Sequence, residues 1–204
     1  MCTPASTRRA LHAVAELVLA GPQHRASGTI RLRVTADGFG TVAEPALTVT
    51  ATELVTPAGS MELVGATCSE LAKFFGAEAG PPAGLHKDHA ELGPDEPLHV
   101  GPDAASELFS AFRRGDAALR RLGHPETPVL WPEHFDVGIQ LDEVNYGVSP
   151  GDHYVDEPYA YVGPWTPRTG EFWNAPFGAA RPLRALSGDL LDAFFAEGRA
   201  LAAE

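Results

Sequence analysis

The sequence predicts an α+β fold, an antiparallel sheet with helices packed mainly on one face. Three observations carry this. Short runs alternating apolar and polar residues recur in both halves of the chain. Turn residues separate neighbouring runs at hairpin spacing. Amphipathic helical stretches bracket those runs instead of alternating with them, so the strand–helix–strand repeat of a parallel sheet is missing.

The first helix is legible from its ends. Thr3 suits an N-cap and Pro4 the first helical position. Leu11, Val14, Ala15 and Val18 keep helical spacing, and Gly21-Pro22 is expected to stop the run. Thr29 to Thr35 alternates, with Ile30, Leu32 and Val34 on one face. Asp37-Gly38 is a hairpin signal and returns the chain through Phe39 to Val42. Leu47, Val49 and Ala51 alternate again. Leu54-Val55 and Met61 to Val64 then flank a second hairpin turn at Pro57-Ala58-Gly59.

Thr67 and Glu70 have capping-box spacing and open a short helix ending at Phe75. Asp103 is placed to cap a long helix bearing Leu108, Phe109, Phe112 and Leu119, which Gly123 and Pro125 end. His134 to Val144 then reads as one strand. Phe135, Val137, Ile139 and Leu141 face the core; Asp136, Gly138, Gln140 and Asp142 face away. Equal burial of Asp136 and Val137 would instead mean a strand covered on both faces. Tyr159 to Val162 is a further strand and Glu171-Phe172-Trp173 a candidate third. Ser187 is placed to cap a terminal helix carrying Leu190, Leu191, Phe194 and Leu201.

The organisation is one domain over residues 1–204. A first half, 1–76, and a second half, 103–204, are joined by a Gly-, Pro- and His-rich loop over 77–102. The order helix, strands, helix occurs in each half, compatible with two similar halves, although no residue-level repeat accompanies it.

Composition narrows the function. The 204 residues include 27 acidic and 15 basic side chains, net −12. Nucleic acid and anionic membranes are not expected partners, because phosphate binding needs clustered Lys and Arg. The longest apolar stretch, Leu11 to Ala20, is broken by His12 and Glu16, so no membrane span is expected. No signal-peptide pattern opens the chain, and a cytoplasmic location is expected. Cys2 and Cys68 are too few for a disulfide framework.

Chemistry concentrates late in the chain. All three Trp and all four Tyr lie between Trp131 and Trp173. Eight carboxylates, from Glu133 to Glu171, share that stretch with one basic residue, Arg168. Two segments there, Asn145 to Asp152 and Pro158 to Trp165, are punctuated by Gly and Pro and read as loops. Aromatic bodies with polar tips beside carboxylates suit a polar, neutral or cationic small molecule. Trp131, Tyr146, Tyr159, Tyr161 and Trp173 are the expected pocket lining, with Glu133 and Asp136 at its mouth. A second reading is a hydrolase-like enzyme using Glu133, His134 and Asp136. A third is a protein–protein interaction module built on the aromatic patch. No cofactor is expected. No metal is expected either; the alternative ligand set would be His86, His89 and His134, from the His86-x-x-His89 spacing.

Several short segments also resemble one family, in the same order along most of the chain. They are Leu11-His12, Val34 to Gly38, Leu130 to Asp136, Gly147 to Asp152, Pro158 to Tyr161 and Phe177 to Arg181. The family is bacterial, actinobacterial in its distribution, and known as a domain of unknown function. Its members have a longer aromatic stretch before the first strand, where this chain has Pro22-Gln23-His24-Arg25. The resemblance implies a stand-alone soluble bacterial domain and supplies no activity.

Overall fold

A computed structural model gives the fold and describes residues 2–84, 90–123, 125 and 127–204. The architecture is α+β, with ten antiparallel strands in the order β10-β9-β8-β7-β6-β1-β2-β3-β4-β5 and helices packing on the sheet. By its contacts the chain divides into two compact units: Met1–Ser110 with Leu130–Phe135, and Ala111–Val129 with Asp136–Glu204. Among the described residues no helix is long and apolar enough to cross a membrane.

The first unit begins with α1 (Pro4–Ala13), capped reciprocally by Thr3 and Ser6. Gly21-Pro22 does not end the helix. A π-helical stretch, Val14–Ala20, carries it into α2 (Gly21–Ser27), and Gly28 closes it in the left-handed conformation. The reason is a partner distant in sequence. In a π turn the carbonyl of residue 17 looks to the N–H of residue 22. Pro22 has none, and Gly80 supplies its N–H to the Leu17 carbonyl instead, at 2.9 Å. Gly21 must be glycine for that approach, since a Cβ there would lie 1.7 Å from the Gly80 carbonyl oxygen. Fully buried Gln23 then ties α2 to the strands that follow. Its amide donates to the Thr29 and Arg31 carbonyls and accepts from the Val42 and Ala43 N–H groups.

Strands β1 (Leu32–Val34), β2 (Phe39–Thr41), β3 (Thr48–Val49), β4 (Glu53–Thr56) and β5 (Gly59–Glu62) form successive antiparallel pairs. Both expected hairpins are present, with Val34 opposite Phe39 and Thr56 opposite Gly59. The capping box of Thr67 and Glu70 opens α3 (Cys68–Phe74). The core here gathers Leu11, Val18, Phe39, Leu54, Leu71 and Phe109, all buried. Helix α4 (Pro102–Arg121) starts at Pro102, one residue before the expected cap Asp103. Strand β6 (Val129–Trp131) pairs with β1 through Leu130 and Leu32.

In the second unit, β7 (Asp136–Leu141) and β8 (Val144–Ser149) form a hairpin where one long strand was expected. Asp142 and Glu143 both have positive φ, 52° and 60°, and make a two-residue turn of the primed type that hairpins favour. Asp142 therefore lies in the turn and not on a strand face. The segment from Asn145, expected as a loop, is largely β8. Strand β9 (Tyr159–Pro164) pairs with β8 and β10 (Ala179–Pro182). Glu171-Phe172-Trp173 is not a strand. Just beyond it, the Asn174 side chain bonds the N–H and carbonyl of Ala180, occupying the groups that the edge strand β10 turns outward.

Helices α4 and α5 (Leu190–Ala202) cover one face of this unit's strands. Glycines set the approach. A Cβ on Gly115 would meet Val148 and Val137 at 2.8–2.9 Å, and one on Gly198 would meet Val162 at 2.7 Å. Helix α5 begins after Asp189, not at Ser187.

Candidate functional site

The strands β7, β8 and β9 alternate, so each presents one set of side chains to the helices and the other set away from them. Val137, Ile139, Tyr146, Val148 and Val162 belong to the helix-facing set and are buried. Asp136, Gly138, Gly147, Ser149, Tyr159 and Tyr161 belong to the other. Strand register aligns Gly138 with Gly147, Gly147 with Tyr161, and Ser149 with Tyr159.

Asp136 was expected outside the core. It is 6% exposed, close to Val137 at 0%, so the start of β7 is covered on both faces. Gln140 is exposed as expected. The cover over Asp136 is an aromatic side chain. The Tyr161 ring lies across the two glycines, and a Cβ on Gly147 would sit 2.4–2.7 Å from its phenol. The hydroxyl donates to Asp136 Oδ2. Burial, then the Asp136 carboxylate, hold the Tyr161 phenol well above the ordinary tyrosine pKa.

A second phenol–carboxylate pair stands beside it. Tyr159, 4% exposed, donates its hydroxyl to Asp152 Oδ2 at 2.5 Å. Burial, and next the bond to Asp152, push this phenol upward too. Asp152 is itself held in a turn, where its Oδ1 accepts the N–H groups of Tyr154 and Val155 at 2.7 and 3.0 Å. Phe177 packs on both tyrosines, with centroids 6.4 and 6.5 Å away, and on Tyr154 at 5.2 Å. Phe177 is 38% exposed and Tyr154 49%, so these two rings are the most exposed part of the cluster, with Tyr161 half-buried and Tyr159 buried.

The structure brings Tyr159, Tyr161 and Asp136 together and separates them from Tyr146. Tyr146 has the opposite strand parity, is fully buried, and packs edge-to-face on Phe195 of α5. Burial raises its phenol to about 12. Trp173 packs on Phe172, which stacks on Phe194 in the helix layer. Trp131 belongs to the first unit, where the Arg31 guanidinium lies 5.8 Å from its ring centroid. Glu133 and His134 are in the first unit as well, half-buried and exposed. Phe177, Tyr154 and Asp152 escape the sequence reading because turns, not spacing, bring them to β9.

Glu133 lies near another group of titratable residues. The His12 ring stacks on Phe135 at 5.5 Å and hydrogen-bonds the backbone of Pro132 and Glu133. Glu16, 2% exposed on the π-helical stretch, accepts the Ala90 N–H at 2.6 Å. Burial lowers the His12 pKa against the opposing pull of Glu16. Among the described residues no three His, Cys, Asp or Glu side chains gather to hold a metal ion. His86 and His89 lie outside the described residues.

What the tyrosine face offers chemically is electron-rich aromatic surface. A phenol that donates to a carboxylate is polarised toward phenolate, which enriches its ring. Such rings attract cations through their faces. No protein-family model, curated protein or solved structure matches the chain.

Proposed function

We propose that the protein binds a small organic cation on the face formed by Tyr154, Tyr159, Tyr161 and Phe177. The observation that carries this reading is the double anchoring of Tyr159 to Asp152 and Tyr161 to Asp136, beside two solvent-reached rings. Each phenol is held neutral by burial and by its bond to a carboxylate oxygen. Asp152 is exposed, so its charge is felt by an approaching ligand. The net charge of −12 favours cations at longer range. On the shared motifs we also propose membership of the bacterial family of unknown function, which adds no chemistry.

Calorimetric titration with choline and with its neutral isostere 3,3-dimethylbutanol tests the reading. Choline should bind saturably, and the neutral compound about tenfold more weakly or worse. Phe177→Ala and Tyr154→Ala should each weaken choline without unfolding the chain, because both rings are partly exposed. Equal affinity for the two compounds, or none for choline, overturns the proposal.

A further inference from the structure

The second unit holds a groove on its helical side, away from the aromatic cluster and unused by the reading above. It runs from the C-terminal end of α4 along the length of α5, and its volume is about 680 Å³. That is within the usual range for small-molecule sites, roughly 300–1,000 Å³.

Its lining is of two kinds. Ala118 and Leu122 on one side, and Ala196 and Ala200 on the other, supply methyl groups. Ala196 and Ala200 are exposed, so this apolar surface meets water. The charged groups are Arg121, Arg199 and Asp192. Arg121 and Asp192 are matched by a bidentate pair at 2.8 and 3.0 Å that ties α4 to α5. Arg199 is held more loosely. It donates to the Leu122 carbonyl at 3.3 Å and lies 3.7 Å from Asp142, whose side chain is 72% exposed. A guanidinium has five N–H donors, and these two long contacts leave most of them for a ligand.

We propose that this groove binds a small amphipathic carboxylate, its apolar tail over the alanines and its carboxylate on Arg199. Charge decides the sign of the ligand. Asp192 is already satisfied by Arg121, so the group with donors to spare is cationic. Against the chain's overall negative charge, the spare donors of Arg199 beside exposed methyl groups favour an anion at this groove over a cation or a neutral chain.

Octanoate is the probe, with octylammonium as the control of opposite charge. Titration followed by alanine methyl resonances should shift Ala196 and Ala200 saturably with octanoate. Octylammonium should leave those methyls unmoved. Arg199→Gln should weaken octanoate by at least about tenfold. Ala200→Leu, which fills the groove at an exposed position, should do the same with the fold intact. Octanoate affinity unchanged in Arg199→Gln, or shifts equal for both probes, overturns the proposal. So does a dimer in sedimentation that Ala200→Glu dissociates, because the groove would then be covered by a second copy.

Discussion

Tyr161 reaches Asp136 by crossing Gly147 and Gly138, two glycines paired in register on neighbouring strands. The absent side chains are what let a phenol lie flat on the sheet and bond a carboxylate two strands away. The candidate site depends on this space, and the relationship makes a stability prediction.

Gly147→Ala should destabilise the fold by about 1–3 kcal/mol, the usual cost of overpacking. Its Cβ would lie 2.4 Å from the Tyr161 hydroxyl oxygen. Urea denaturation measures the loss. Combined with Tyr161→Ala, the two costs should fall well short of adding, because the clash is then gone. Strict additivity would place the strain elsewhere.

Alkali should unfold the second unit through its phenols. Tyr146, Tyr159 and Tyr161 all have pKa values above the ordinary 10.0 in the folded chain. The folded state thus holds these protons more tightly than the unfolded state does. Their contribution is complete below pH 10 and is lost as pH rises toward the folded values, about 12 for Tyr146. Melts from pH 8 upward, followed by phenolate absorbance, should show stability falling only above 10, with ionisation accompanying unfolding.

Much of the fold was legible in local chemistry. The Thr67–Glu70 box and the Pro57-Ala58 turn depend on neighbours in sequence, and the structure has both; the one-sided burial read from the alternation of β7 fails at its start, where Asp136 and Gly138 are buried along with Val137. What escaped depends on partners distant in sequence. Pro22 reads as a helix stop until Gly80 is seen donating to Leu17. Asp142-Glu143 lacks the Gly or Asn that usually marks a primed turn, so one strand was read where two exist. Tyr146 and Tyr161 look equivalent in sequence. Pairing Tyr146 with Val162 puts them on opposite faces, one against α5 and one over Asp136. Tyr159, Tyr161 and Asp136 were visible as a group by composition, but their hydrogen-bond partners were not.

His12 should make the first unit sensitive to mild acid. Burial lowers its pKa below the ordinary 6.5. The unfolded state therefore binds the proton first, and the stability His12 contributes is present above 6.5 and lost as pH falls below it. His12→Phe keeps a ring against Phe135 and removes the proton. Its urea midpoint should fall less than the wild type's between pH 7 and 5.

The two thiols should differ sharply. Cys2 is exposed, while Cys68 is fully buried and raised to about 12 by that burial. A chromogenic disulfide reagent should titrate one thiol per native chain and both in denaturant. Two fast thiols in the native protein would mean that α3 opens.

The central claim is that carboxylate-anchored tyrosines and two exposed rings make a cation site. Ring-proton resonances recorded during a choline titration test it most directly. The account predicts saturable shifts of Tyr154, Phe177, Tyr159 and Tyr161, with one affinity for all four and no change at Tyr146 behind the sheet. Shifts spread over Trp131 and Trp173 with no saturation at the tyrosine face, or no shift at Phe177, would contradict it.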